Sequence, residues 1–291
     1  MAESHDDRFG PEGISRWDRD ADAWVTLDPF PKRPEVRCAP AGVCIYCGAS
    51  TYTKEGGKLH EEHVVPLSIN GNYVFPEASC RSCEQITGRN EALIMRGGFR
   101  AVREYLQLRS RTKKRPQELP LFNVNRIAGN KVMVPIADYP VMWIIPRFDL
   151  PGVLRPPGYN STGNPPPWST AINFDADKLG KHGIKNFTTN QMDVFAFVRM
   201  IAKIGHSLAV SRYGPDHFIP FLRDIILANV GPEAFEYIGG RAEVPHKTEE
   251  LHGLTLRTLK VGTRILLVAE IRLFASLGAP IHLAVVGEVR S

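Results

Sequence analysis

A chain of 291 residues with 43% hydrophobic and 23% charged residues has the balance of a globular protein and enough length for one large or two modest domains. No run approaches the roughly 18 consecutive apolar residues of a membrane span, and the polar, acidic start MAESHDDRFGPEG is unlike a signal peptide; a soluble, cytoplasmic protein without a membrane partner is expected. The formal net charge is +5, but residues 96–115 alone carry eight basic residues against the single acid Glu104, so the excess is local.

In chain order, residues 1–40 hold Trp17, Trp24, several acids and a proline-spaced DPFPKRPEVRCAP, and read as an irregular lead-in. Residues 41–95 are dense in Cys, His, Gly and Pro and poor in long apolar periodicity, which marks a small module stapled by metal more than by a core. From Cys80 to about Leu108 the apolar spacing is helical, with an interruption at Gly97-Gly98. The basic segment 96–115 follows as helix and loop. Clustering of this kind is the footprint of a phosphate-binding surface, so Arg100, Arg103, Arg109, Arg111, Lys113, Lys114 and Arg115 are candidate DNA-backbone contacts.

Residues 116–291 change character. KVMVPIA (131–137) and VMWIIPR (141–147) predict short strands, followed by a Pro/Gly/Asn-rich loop from Pro151 to Trp168. Residues 187–214 predict a long helix, capped by Thr189 or Asn190 and ended by Gly214, and 215–231 a shorter one. Three alternating stretches, 254–261, 263–275 and 280–289, predict antiparallel strands turning at Gly262 and Gly278. The fold class is therefore α+β: a small metal-bound module, then a larger domain with helices and an antiparallel sheet. No catalytic constellation stands out in 116–291, which is open to a role in binding a protein partner or forming an oligomer.

Chemistry concentrates earlier. Cys44-x-x-Cys47 and Cys80-x-x-Cys83 supply four thiolates, a soft tetrahedral set suited to structural Zn²⁺; four of five cysteines in such pairs fit a reducing compartment better than a disulfide framework. The leftover Cys38 is a free thiol. The 32 residues between the knuckles exceed the usual ribbon spacing of about 15–20, so the insert has another task. It carries LHEEHVVP at 59–66. A zincin helix is excluded, because His60 and His63 are three apart rather than four and Pro66 follows.

Glu62-His63-Val64-Val65-Pro66, then Gly71, then Ala78-Ser79-Cys80-x-x-Cys83, resembles the HNH endonuclease family in its zinc-stapled form with a ββα-metal fold. The resemblance covers Cys44 to about Glu91. It implies a metal-dependent endonuclease hydrolysing DNA phosphodiester bonds, with His63 as the general base that activates water. Glu62 and, by position, Glu84 are implied as ligands of a catalytic Mg²⁺ or Mn²⁺ that stabilises the phosphate and the leaving oxygen. Imidazole titrates near neutrality and a carboxylate is a hard oxygen ligand, so the chemistry agrees with those roles. Neighbours on a strand point to opposite faces, so Glu62 and His63 need a bulge or strand end to reach one cleft.

Departures from the family pattern set up the alternative. Phe75 stands where the family has the Asn or His that supports the base, with Asn70 and Asn72 either substituting or making a turn. Glu84 stands where Asn or His is usual. His60, Asn90 and Glu91 are further candidate ligands, Glu61 faces solvent, and His206 is a packing histidine. The alternative reading is a zinc-stapled nucleic-acid-binding protein with a degenerate, inactive HNH site.

Overall fold

The computed structural model describes residues 14–18, 23–27, 34–110, 115–124, 130–161, 163–228, 230–243 and 246–290, with 14–18, 23–27 and 130 given by backbone alone. Its first strands are β1 (Ile14–Asp18), β2 (Ala23–Leu27), β3 (Val36–Arg37), β4 (His60–His63) and β5 (Tyr73–Ser79), followed by helices α1 (Arg81–Arg96) and α2 (Arg100–Tyr105). Then come β6 (Glu118–Asn123), β7 (Asn130–Pro135), β8 (Val141–Ile145), β9 (Trp168–Ile172), α3 (Ala176–Lys181), β10 (Phe187–Thr188) and α4 (Val194–Tyr213). The chain closes with β11 (Phe218–Pro220), α5 (Arg223–Leu227), β12 (Ile238–Gly240), β13 (His252–Val261), β14 (Arg264–Leu273) and β15 (His282–Val289). This is an α+β fold with mixed sheets and helices.

The chain divides into two compact units that are not consecutive stretches of sequence. One gathers Met1–Lys32, Ile94–Ile144 and Ser169–Met192; the other gathers Arg33–Leu93, Ile145–Trp168 and Asp193–Ser291. In the first, β1 and β2 form a hairpin in a sheet of order β2-β1-β9-β8, beside a second sheet β10-β6-β7. The lead-in thus contains regular structure that its composition hid: β1 and β2 pair with each other over five residues, and Arg16 also pairs with Ile172 far along the chain. Within this unit Phe99 packs edge-on against Trp143 at 5.5 Å, and both are buried.

The second unit holds the zinc-type knuckles and the C-terminal sheet. β13, β14 and β15 are antiparallel; β13 turns into β14 at Gly262, while a short 3-10 turn over Ala275–Leu277, ended by Gly278, joins β14 to β15, and both glycines take positive φ (60° and 82°). α4 lies on this sheet and is apolar nearly all round, as a helix buried on most sides must be. Gly205 permits the close approach: a Cβ there would meet the Ala284 Cβ at 2.8 Å. By length and composition α4 could cross a membrane, contrary to the reading of the sequence by consecutive apolar residues, but most of it is enclosed by protein.

Two helix expectations need correction. α4 starts at Val194, capped by Asp193, whose Oδ1 accepts from Ala196 N at 2.9 Å. Residues ahead of it are drawn into β10, which pairs with β6, so Thr189 and Asn190 cap nothing. The stretch 215–231 is mostly not helix: Phe218–Pro220 pairs with β15 and only Arg223–Leu227 coils, because completing the sheet outweighs local propensity.

Candidate metal centre

Cys44 and Cys47 flank a tight turn closed by Gly48 N to Cys44 O at 2.8 Å, with Gly48 at φ 80°. Ile45 N bonds Ala78 O at 2.9 Å, which sets this knuckle against the end of β5. Cys80 follows the last residue of that strand and Cys83 lies in the first turn of α1, so strand and helix together aim the second pair. The four Sγ atoms lie within 4.8 Å of one another, with Cys47 and Cys80 3.6 Å apart. Zn–S bonds of about 2.3 Å put tetrahedral thiolates about 3.8 Å apart, so this donor set fits the ion. Packed sulfurs cannot all ionise alone. The Cys83 thiol holds Cys44 down to about 4 by hydrogen bonding, while the same contact pushes Cys83 up and burial pushes up Cys47. A divalent cation would release those remaining protons.

β4 and β5 are antiparallel and lead directly into α1. Their register slips between His60, opposite Ser79, and Glu62, opposite Phe75; the extra residues sit on β5, where Glu77 takes φ 51°. This slip lies on the partner strand and leaves Glu62 and His63 in regular register with Phe75 and Val74, so it does not bring the two side chains to one face of β4. The following turn needs its glycine, since a Cβ at Gly71 would fall 1.9 Å from Val65 O. Glu62 points inward at 8% exposure and His63 is half-buried.

A residue outside the motif decides what surrounds Glu62. Lys203, on the middle of α4 and 2% exposed, places its Nζ 2.8 Å from Glu62 Oε1 and 2.9 Å from Glu91 Oε1, and donates to the carbonyl of His63. Three oxygens thus surround the ammonium. Burial opposes the charge, but the two carboxylates outweigh it and hold the Lys203 pKa above its ordinary value. Burial, then Lys203, push His63 below its usual value, so its imidazole is neutral at pH 7. His63 Nδ1 is buried without a hydrogen-bond partner.

Glu84 is engaged elsewhere: its Oε2 accepts from the Tyr52 hydroxyl at 2.9 Å and lies 2.9 Å from His60 Nδ1, with the Tyr52 and His60 rings stacked at 3.8 Å. Asn90 accepts from Arg199 at 3.0 Å, and exposed Glu61 pairs with Arg37 at 2.7 Å. Phe75 is a core residue. The structure therefore gives Glu62 and Glu84 separate partners. Among the described residues, only the four cysteines form a group of three or more His, Cys, Asp or Glu side chains placed to hold a metal ion. The carboxylates do not fit a shared divalent site in this arrangement.

The basic segment is also redistributed. Arg103 donates to Met95 O at 2.9 Å, with burial lowering its pKa, and Arg115 donates to the carbonyls of Gln107 and Leu108; both pin the chain internally and are poor phosphate contacts. Arg100 and Arg109 are half-buried, while Arg111, Lys113 and Lys114 lie outside the described residues. Counting charge by run missed Arg81, Gln85 and Arg89, which are exposed on one face of α1. Spacing by four would have revealed them. Lys203 was also missed, and its signal was available: a lysine at the centre of the apolar run Met200–Leu208, interrupted otherwise only by His206 and Ser207.

α4 and β13 anchor the module by further buried polar groups. His206 Nε2 lies 2.7 Å from Ile45 O, His252 Nε2 2.6 Å from Ile69 O, and Tyr46 Oη 3.2 Å from Ser207 Oγ. Each bond ties an element more than 150 residues downstream to the cysteine module.

No family model matches this chain, and no curated protein or solved structure matches it. What the geometry defines is an α+β protein with a four-cysteine cluster able to chelate a metal, consistent with a zinc-binding module.

Proposed function

We propose that the chain is a zinc-stapled nucleic-acid-binding protein built on an HNH-type ββα-metal frame whose hydrolytic centre is closed. The observation that carries this reading is Lys203. Its ammonium neutralises Glu62, the carboxylate that the HNH resemblance assigns to a divalent ion, and draws in Glu91 and the His63 carbonyl as well. A hard cation entering there would have to displace a buried lysine held by two carboxylates and a carbonyl. Phe75 in place of a polar supporter of His63 points the same way. Binding to nucleic acid would run through Arg81, Gln85 and Arg89 on the outer face of α1, reading backbone more than sequence.

The competing reading, a Mg²⁺- or Mn²⁺-dependent HNH endonuclease acting on DNA, draws on one feature: His63 is neutral at pH 7 and half-exposed, as a general base must be. One experiment separates the two. Supercoiled plasmid is incubated with wild type and His63→Ala in Mg²⁺ or Mn²⁺, and duplex binding is measured across a salt series. The binder reading expects retention of DNA with no nicking above the variant's background. It also expects Arg81→Ala/Arg89→Ala to lower the salt slope by about 0.9 per lost phosphate contact. Nicking that disappears with His63→Ala would establish the nuclease instead.

A further inference from the structure

The sheet β13–β14–β15 has two faces with different occupants. Ala269 and Ala284 meet α4 at Gly205. Side chains alternate along a strand, so Val268 and Leu283 point the other way. There, with Leu266 and Val285, they form an apolar cluster covered in part by Leu150 and Leu154. The cover is incomplete. A cavity of about 620 Å³ opens over Val268 and Leu283, bounded by Leu150, Leu154 and Tyr159 on one side and by Arg241, Arg257 and Leu259 on the other. Sites for small molecules span about 300–1,000 Å³ and combine an apolar body with a few convergent polar groups.

The register places the polar groups. Arg257 pairs with Val268, Leu259 with Leu266, and Glu270 with Leu283, so all of them share the cavity face. Glu270 Oε1 holds both guanidinium groups, at 3.2 Å from Arg257 Nε and in contact with Arg241 Nη2. Arg257 thus spends its Nε and keeps the paired Nη end of its fork, the end that matches an oxyanion. The acid Asp149 is already engaged by Leu150 N at 2.8 Å, Ser161 Oγ at 2.6 Å, the Tyr159 hydroxyl and, at 3.7 Å, Arg155. That leaves Glu243 as an exposed carboxylate at the rim. Two guanidinium groups set against the single carboxylate of Glu270 give this end of the cavity an excess of donors. Leu259, 44% exposed on the edge strand β13, adds apolar surface at the mouth.

We propose that this cavity binds a small amphipathic anion, its apolar body on Val268 and Leu283 and its anionic head on Arg257 and Arg241. The C-terminal sheet then carries a ligand site on the face opposite α4, independent of whether the cysteine module binds or cuts nucleic acid.

The test is calorimetric titration of the full-length, zinc-loaded protein with octanoate, octanol and octylammonium. Octanoate is expected to bind at one site and at least tenfold more tightly than either of the others. Arg257→Ala is expected to weaken octanoate at least tenfold and leave octanol unchanged. Leu259→Asp, at a half-exposed edge position that tolerates change, is expected to weaken octanoate more than octanol. Unchanged unfolding midpoints would show both variants folded. Equal binding of octanol, preference for octylammonium, or wild-type octanoate affinity in Arg257→Ala overturns the assignment of the head group. Binding of none of the three overturns the site.

Discussion

The cysteine cluster and the Glu62–His63 strand belong to one small module, yet they are completed in opposite ways. The cluster is local: two knuckles, one turn and the start of one helix bring four sulfurs within 4.8 Å. The strand's chemistry is set from outside, by Lys203 on a helix that begins far along the chain at Val194. A ligand set with its own spacing announces itself in sequence. A carboxylate's partner does not, and here the partner reverses the meaning of the motif, turning a candidate metal ligand into half of a buried ion pair.

The comparison predicts unequal responses. Chelation of the metal, or Cys83→Ser, is expected to have the largest effect, since structural zinc contributes about 10–16 kcal/mol in small modules. Amide exchange should show protection lost across 44–83 while the β14–β15 ladder keeps its own. Elemental analysis finding no zinc in freshly purified protein would break the comparison at its first term.

Acid should act next, through the histidines that tie the parts together. His206, His252 and His282 are pushed down to about 4 by burial, which outweighs their bonds to the carbonyls of Ile45, Ile69 and Pro146. An unfolded chain, with its imidazoles near 6.5, takes up protons first as pH falls. The stability carried by neutral imidazoles is therefore complete above about pH 6.5 and lost progressively toward pH 4, at about 1.4 kcal/mol per histidine per pH unit. Urea midpoints between pH 7 and 5 measure this. His282→Gln, remote in sequence from the cysteines, should flatten the dependence by about a third.

Lys203→Ala should cost about 3–5 kcal/mol by leaving Glu62 and Glu91 buried without their cation. Combining Lys203→Met with Glu62→Gln and Glu91→Gln should recover most of that loss, because the desolvation penalty goes with the charges. If the single variant unfolds at the wild-type urea midpoint, Lys203 does not close the site. The smallest effect belongs to Asp193→Ala, about 1 kcal/mol for the lost cap of α4, with Lys203 pairing and metal content unchanged.

Much of the architecture was legible beforehand. The hairpin turn at Gly262, the left-handed Gly278 between β14 and β15, the break at Gly97-Gly98 and the cysteine frame each follow from residues with a strong local requirement: a left-handed backbone, a helix interruption, a thiolate. Less visible were elements whose state depends on a distant strand. β10 is paired by β6 and β11 by β15, and in both cases pairing outcompeted what the local pattern implied. The internal bonds of Arg103 and Arg115 were hidden for a related reason. A basic side chain reads the same in sequence whether it faces phosphate or caps a carbonyl.

By itself, the sequence determined that this is an α+β chain with four thiolates spaced for one tetrahedral ion and an acid–histidine pair set between them, because those features depend on neighbours within a few tens of residues. Tertiary structure decided the rest. It put Lys203 against Glu62, gave Glu84 to Tyr52 and His60, and left a cavity on the sheet face away from α4, because burial and charge pairing are settled by what packs together in space.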